Sequence, residues 1–475
     1  MWQARLEAAY PHPLRWLEHP LRDDYWRQGS VCEDYGAIEC PVYAVGGWAD
    51  GYTNAIPRLL AGLSAPRSGL VGPWGHAYPH EGSPGPAIGF LQDALAWWND
   101  CLGGAPRRAS DRPFYRVWMP ESVPAGYDGR DRPGRWEAEA SWPSDRIVPR
   151  VLHLARDRLG APGPPARLEI RSPQTTGRAA GGWLVASTRD QREDDADSLC
   201  FDAEPFRERT EMLGAAELQL VVSSDQPAAF VVARLCDVAP DGSATRVSYG
   251  IWNLTHTPDH ATWAPLVPAR RREVRFRLND AAHAFPAGHR LRLALSNAYW
   301  PLVWPSPVPA TLQVYTEECR LVLPIRPSDP RDAQLPAFAP PASAGHSEWI
   351  PLGESRFERR SDRDDPTGDL VNVTRSGYDA QGRVVLGRHE FVGMDGGDGM
   401  VIRTRVHPGD PLRARAAIEQ RTELRRGSWS VAVDSEVEIS CTHEEFRVAA
   451  RLAASEAGRP VFERRWDERV PRVGI

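Results

Sequence analysis

The sequence contains no lysine: all 57 basic residues among its 475 are arginine. That excludes a lysine nucleophile, a Schiff base and a phosphate-binding P-loop lysine. GC-rich coding accounts for the bias without any functional cause. No run of about 18 consecutive apolar residues occurs, so no membrane-spanning helix is expected. The opening stretch "MWQARLEAAYPHPLRWLEHPL" has no basic segment followed by an apolar one, so no secretory signal is read. The sequons at Asn253 and Asn372 are then chance matches. Seven cysteines are scattered, odd in number and free of C-x-x-C pairs. This excludes a zinc knuckle or disulfide framework and predicts free thiols in a reducing, cytoplasmic compartment. A net charge of −6 and the lack of an arginine run exclude a phosphate-tracking stripe, hence nucleic-acid binding. The last absence is chemical: no G-x-S-x-G turn of a serine nucleophile appears anywhere.

What is present reads as several domains, since 475 residues exceed one ordinary core. Residues 1–40 carry helical and turn material. "CPVYAVGGW" (40–48) and "SGLVGPW" (68–74) are short runs apolar on both faces, the pattern of buried parallel strands. Between them "YTNAIPRLLAGL" has helical periodicity, with Pro57 at its start or kinking it. "PAIGFLQDALAWWNDCLGG" (86–104) reads as an amphipathic helix capped at Gly103-Gly104. The β-α-β-α order over 41–145 implies part of a parallel α/β sheet. From 146 to 327 short alternating strands separated by turn signals predict a β-sandwich or jelly roll. Residues 328–345 form a Pro/Ala-rich linker, and 346–475 a further β-rich accessory domain.

Two strand ends carry the candidate chemistry. "GGWADGY" places Asp50, and "GPWGH" places His76, where α/β enzymes position reacting groups. A carboxylate that fixes an imidazole tautomer forms two-thirds of a charge-relay triad. An aspartate capping the next helix and an ordinary loop histidine explain the same spacing. His80 follows His76 by four residues, but Pro79 breaks the helical spacing of a metal pair. "HTPDH" (256–260) reads as a surface loop. "MDGGDG" (394–399) lacks the spacing of a calcium loop and reads as a tight hairpin. Ser64, Ser83 and Ser347 are not on a strand-to-helix turn upstream of Asp50, so none is read as the nucleophile.

The residues "HPLRDDYWRQGSV", "IECPVYAVGGWADGY" and "GLVGPWGH" resemble the cocaine-esterase-like (CocE/NonD) hydrolases and the related X-Pro dipeptidyl-peptidases. "ELQLVVSSDQPAAFVVARLCDV" and "FPAGHRLRLALSNAYWPLVWPSP" resemble the C-terminal non-catalytic jelly roll of that family. The resemblance spans about residues 15–327. It implies that Asp50 and His76 are the acid and base of a serine relay acting on ester, amide or X-Pro peptide substrates, without cofactor or metal. It also implies that the chain begins within the family's helical cap and lacks the serine and oxyanion donors of an N-terminal half. Such a chain is expected to be inactive alone and to need that half as a partner chain, or to self-associate. The alternative is a non-catalytic binding protein built on the sandwich, with Trp300 and Trp304 as the aromatics to test.

Overall fold

The computed structural model describes residues 2–103, 113–180, 188–343 and 349–474. The chain is mostly β and arranges its strands in three sheets. Helices α1 (Trp2–Glu7), α2 (His12–Glu18) and α3 (Asp24–Arg27) lead into β1 (Val42–Gly47), α4 (Ala55–Gly62), β2 (Arg67–Gly72) and α5 (Phe90–Leu102). Strands β3 (Tyr115–Pro120) and β4 (Gly134–Glu139) complete the first sheet, in the order β1-β2-β3-β4. β1, β2 and β3 run parallel, and β4 is antiparallel to β3. No helix among the described residues is long and apolar enough to cross a membrane.

Alternation explains why β1 and β2 are apolar on both faces. Ala44 and Val71 join Ile56 and Leu60 of α4 on one side, where Leu213, Ala282 and Ala284 of the second sheet also pack. Tyr43, Val45 and Leu70 join Trp74, Ile88 and Phe90 on the other. Pro57 lies in the first turn of α4, where a missing N–H costs no helical bond. β3 is an element that periodicity does not reveal, because Arg116 interrupts its apolar run. That guanidinium lies 3.9 Å from the Phe338 ring centroid and donates to the Pro336 carbonyl at 2.6 Å, which lets it be buried.

The second sheet has 13 strands between Val148 and Arg326, almost all antiparallel, around a single large core. Its wholly buried strand Phe230–Val238 lies one in from the end of the strand order, paired with Ala244–Asn253 and Arg290–Ser296. The turn signals fall where expected: Gly242 and Gly288 adopt φ of +85° at two of the reversals.

A third, nine-stranded sheet runs from Trp349 to Pro471. One face is a ladder of ion pairs such as Arg447–Asp467 and Arg451–Glu436. The other buries Leu14 and Leu17 of α2 against Ile439, Val448 and Val470. The tight hairpin read at 394–399 is corrected: these residues begin the long strand Met394–Val406. The reversal lies just before them, at the 3-10 turn Glu390–Val392 and the left-handed Gly393. Residues 330–343 are not a free spacer either. Phe338 packs on Trp136, and the Ala339 carbonyl accepts a 2.7 Å bond from the Gly89 N–H.

A buried charge network fixes the first sheet against the second. Arg326, with no side-chain exposure, pairs with Glu137 at 2.7 Å, Glu139 at 2.7 Å, Glu211 at 3.3 Å and Asp332 at 2.8 Å. Arg135 and Arg209 share Glu211. Burial pushes the Glu137 carboxyl up, and Arg326 and Arg135 pull it only partly back.

Candidate active site

Asp50 and His76 stand at the ends of the adjacent parallel strands β1 and β2, and their loops are stapled together. Trp48 N–H donates to the Gly72 carbonyl at 2.9 Å and Ala49 N–H to Trp74 at 3.0 Å. Gly47 is required for this approach, since a Cβ there would lie 2.0 Å from the Trp74 carbonyl oxygen. The Trp48 indole donates to the Trp118 carbonyl at 2.7 Å, tying the turn to β3.

On this frame Asp50 Oδ1 accepts from Tyr52 N–H at 3.0 Å, and Oδ2 lies 2.9 Å from His76 Nδ1. An ionised aspartate keeps the proton on Nδ1 and leaves Nε2 as the acceptor. Asp50 is largely covered, with 12% side-chain exposure, while His76 is 61% exposed. An imidazole oriented from behind and open in front can take a proton from a hydroxyl brought to Nε2.

The pair borders a cleft of about 860 Å³ between the first and second sheets. Trp48 to Gly51, Pro73 and Ser83 line one side; Arg246 to Ile251 and Asn279 to His283 line the other. Asn54 joins the two walls: its Nδ2 donates to Asn279 Oδ1 and its Oδ1 accepts from Asp280 N–H, both at 2.8 Å. The acid-bearing turn is thereby held to the second sheet.

Among the described residues no hydroxyl hydrogen-bonds to His76. Thr53 and Ser248, which line the cleft, donate instead to the carbonyls of Gly47 and Asn279. Ser83 lines the cleft without bonding the imidazole, Ser64 lies just beyond the end of α4, and Ser347 is outside the described residues. His80 packs beside the rings of Tyr78 and Phe90, at 5.9 and 6.3 Å. His256 and His260 contact each other at 3.2 Å in a loop, where burial lowers the pKa of both.

Trp300 and Trp304 are not open platforms. Trp300 is 2% exposed, and the two rings pack with Leu370, Val406 and Ala414 where the second and third sheets meet. Trp304 Nε1 donates to Cys441 Sγ at 3.3 Å.

Sequence reasoning missed a second acid–imidazole group on the cleft wall. His283 Nε2 and His289 Nδ1 lie 2.9 and 2.8 Å from the two oxygens of Asp237. Burial pushes the Asp237 carboxyl up, but the bond and charge of His283, with bonds from Ser122 and His289, outweigh it and the net shift is downward. The signal available was a histidine inside the apolar strand "AAHAF", where a buried polar group needs a partner.

Two family models match the chain. The family model for the X-Pro dipeptidyl-peptidase C-terminal non-catalytic domain matches residues 111–332, and that for X-Pro dipeptidyl-peptidase (S15 family) matches residues 1–78. Cocaine esterase from Rhodococcus sp. (strain MB1 Bresler) is 23% identical over 323 residues, covering 60% of this chain and 53% of the esterase. A solved aminopeptidase from a marine sediment Thaumarchaeota archaeon superposes with a TM-score of 0.54 at 22% identity, covering 66% of this chain and 60% of that one. A CocE/NonD family hydrolase from Staphylococcus aureus does so with a TM-score of 0.52 at 16% identity, covering 67% and 59%. At these identities the structures show a shared fold. The chain spans about half the length of the curated relatives it matches.

Proposed function

The chain belongs to the CocE/NonD and X-Pro dipeptidyl-peptidase family of hydrolases, and from that premise we propose that it carries the acid–base half of a serine-hydrolase site. The observation that carries the reading is the 2.9 Å contact between Asp50 and His76 at neighbouring strand ends, beside a cleft. A serine brought to Nε2 gives its proton to His76 and attacks an ester or amide carbonyl. His76 then passes that proton to the leaving group, and water repeats the sequence on the acyl-enzyme. Asp50 orients the ring and stabilises the imidazolium. We read the 13-stranded unit as the family's jelly roll, which walls the cleft through residues 246–251 and 279–283.

The serine comes from outside this sequence, on an N-terminal hydrolase half, and the chain alone is inactive. Two surfaces support that partner. Among the described residues β1 is an edge strand, hydrogen-bonded to β2 on one side only. Next to it α5 exposes Leu91, Leu95, Trp98 and Leu102, with 44%, 61%, 56% and 76% of their surface in solvent. Their spacing makes one continuous stripe. The seven free thiols fit a reducing cytoplasm.

Reconstitution tests the proposal. The reading frame upstream of the Met1 codon and its neighbours are searched for a G-x-S-x-G segment, which is co-expressed with this chain. Hydrolysis of 4-nitrophenyl acetate is expected only in the complex, and Asp50→Asn should lower its kcat by about 10⁴. No such segment, or hydrolysis indifferent to His76→Ala, would overturn it.

A further inference from the structure

Four arginines are buried among the described residues, and three are accounted for by what they hold. Arg326 pairs with four carboxylates, Arg234 pairs with Asp195, and Arg472 donates to the carbonyls of Thr442 and Pro305. Arg116 is the exception. Among the described residues it makes no ion pair; its one hydrogen bond runs from Nη2 to the Pro336 carbonyl, and its buried Nε–H has no acceptor. The Phe338 and Trp136 rings lie 3.9 and 5.3 Å from the guanidinium, contacts that stabilise a cation without accepting its hydrogen bonds. Burial pushes its pKa down to about 10, and the charge of Asp93 does not restore it.

Neither register nor packing calls for a cation there. Strand pairing sets Val45, Leu70 and Arg116 side by side on the face that carries α5, and an apolar side chain would continue the row. The arginine instead borders a cavity of about 350 Å³, walled also by Tyr43, Ala96, Pro113, Phe338 and Ala339. The cavity lies toward the N-terminal ends of β1, β2 and β3, opposite the strand ends that lead to Asp50 and His76. Its other polar side chains are committed. The Ser68 hydroxyl donates to the Pro113 carbonyl at 3.1 Å, Gln92 donates to the Pro340 carbonyl at 3.2 Å, and Asp93 accepts from the Tyr43 hydroxyl at 2.5 Å.

We propose that this cavity binds a small monocarboxylate with an apolar tail, its carboxylate held by the Arg116 guanidinium. A guanidinium meets a planar carboxylate with charge-assisted hydrogen bonds, and the aromatic and alanine walls suit hydrocarbon. Asp93 sets the charge of the ligand: one negative charge is held by Arg116, and a second, as on a phosphate monoester, is repelled. The site stands apart from the hydrolase reading, since none of these residues belongs to the acid–imidazole pair.

The probes are pentanoate, pentanamide and butyl phosphate, titrated calorimetrically into the chain as it stands. Pentanoate should bind about tenfold more tightly than pentanamide, the ratio that one charge-assisted hydrogen bond supplies. It should also bind more tightly than butyl phosphate. Arg116→Met, which continues the apolar row, should erase the preference over pentanamide. Ala96→Phe, on the exposed lip of the cavity, should weaken pentanoate and pentanamide alike, and it stays informative if Arg116→Met misfolds. Equal binding of pentanoate and pentanamide by the unaltered chain, or tighter binding of butyl phosphate, would overturn the proposal. So would a preference that survives Arg116→Met, or pentanoate affinity indifferent to Ala96→Phe.

Discussion

Asp50 and His76 depend on a residue with no side chain at all. Gly47 lets the two strand-end loops touch, and Gly47→Ala drives a methyl into the Trp74 carbonyl. We expect a loss of about 1–3 kcal/mol, the range for overpacking, read as a lower urea midpoint. The Nδ1 proton resonance of His76 should shift upfield as its bond to Asp50 lengthens. Asp237 supplies a second residue-level prediction. Its pKa falls below the usual 3.8 on folding, so its contribution to stability is present above that value and lost as pH drops through the folded pKa. Asp237→Asn should therefore melt below the parent at pH 7, and the gap should close in melts taken below about pH 4. The relay candidates were legible in sequence because each follows a glycine-closed apolar run. The Asp237 group was not: its partners lie 46 and 52 residues away on other segments and meet it only in the folded chain.

At the level of elements, β1, α4, β2 and α5 were readable from apolar patterning, because each buries a face that a short run of residues can encode. β3 was hidden by Arg116, whose burial depends on Trp136 and Phe338, neither of them near it in sequence. The strand at Met394–Val406 was hidden by its glycines. Gly397 and Gly399 are small because a Cβ would meet the Val385 carbonyl and the Tyr378 ring, rather than because the chain turns there. The junction of the first two sheets rests on Arg326. Arg326→Leu would leave Glu137, Glu139, Glu211 and Asp332 without their shared cation, and should cost about 3–5 kcal/mol, seen as a lower urea midpoint. The outer stripe of α5 predicts the reverse. Leu95→Glu with Trp98→Glu should leave the thermal midpoint nearly unchanged while reducing concentration-dependent association in sedimentation velocity, since both side chains are mostly exposed.

Across the whole molecule, three sheets meet so that the second walls a cleft beside the strand ends of the first, while the third packs on the N-terminal helices. The packing of α2 against the C-terminal sheet joins segments more than 400 residues apart and left no mark in local sequence pattern. The proposal that stands or falls here is that the acid-oriented imidazole of this chain works on a serine supplied from elsewhere. Labelling with a fluorophosphonate, followed by peptide mapping, tests it most directly. The account predicts no labelled serine in this chain alone, with or without His76. A labelled serine whose modification disappears in His76→Ala would contradict it, because the nucleophile would then lie within these residues.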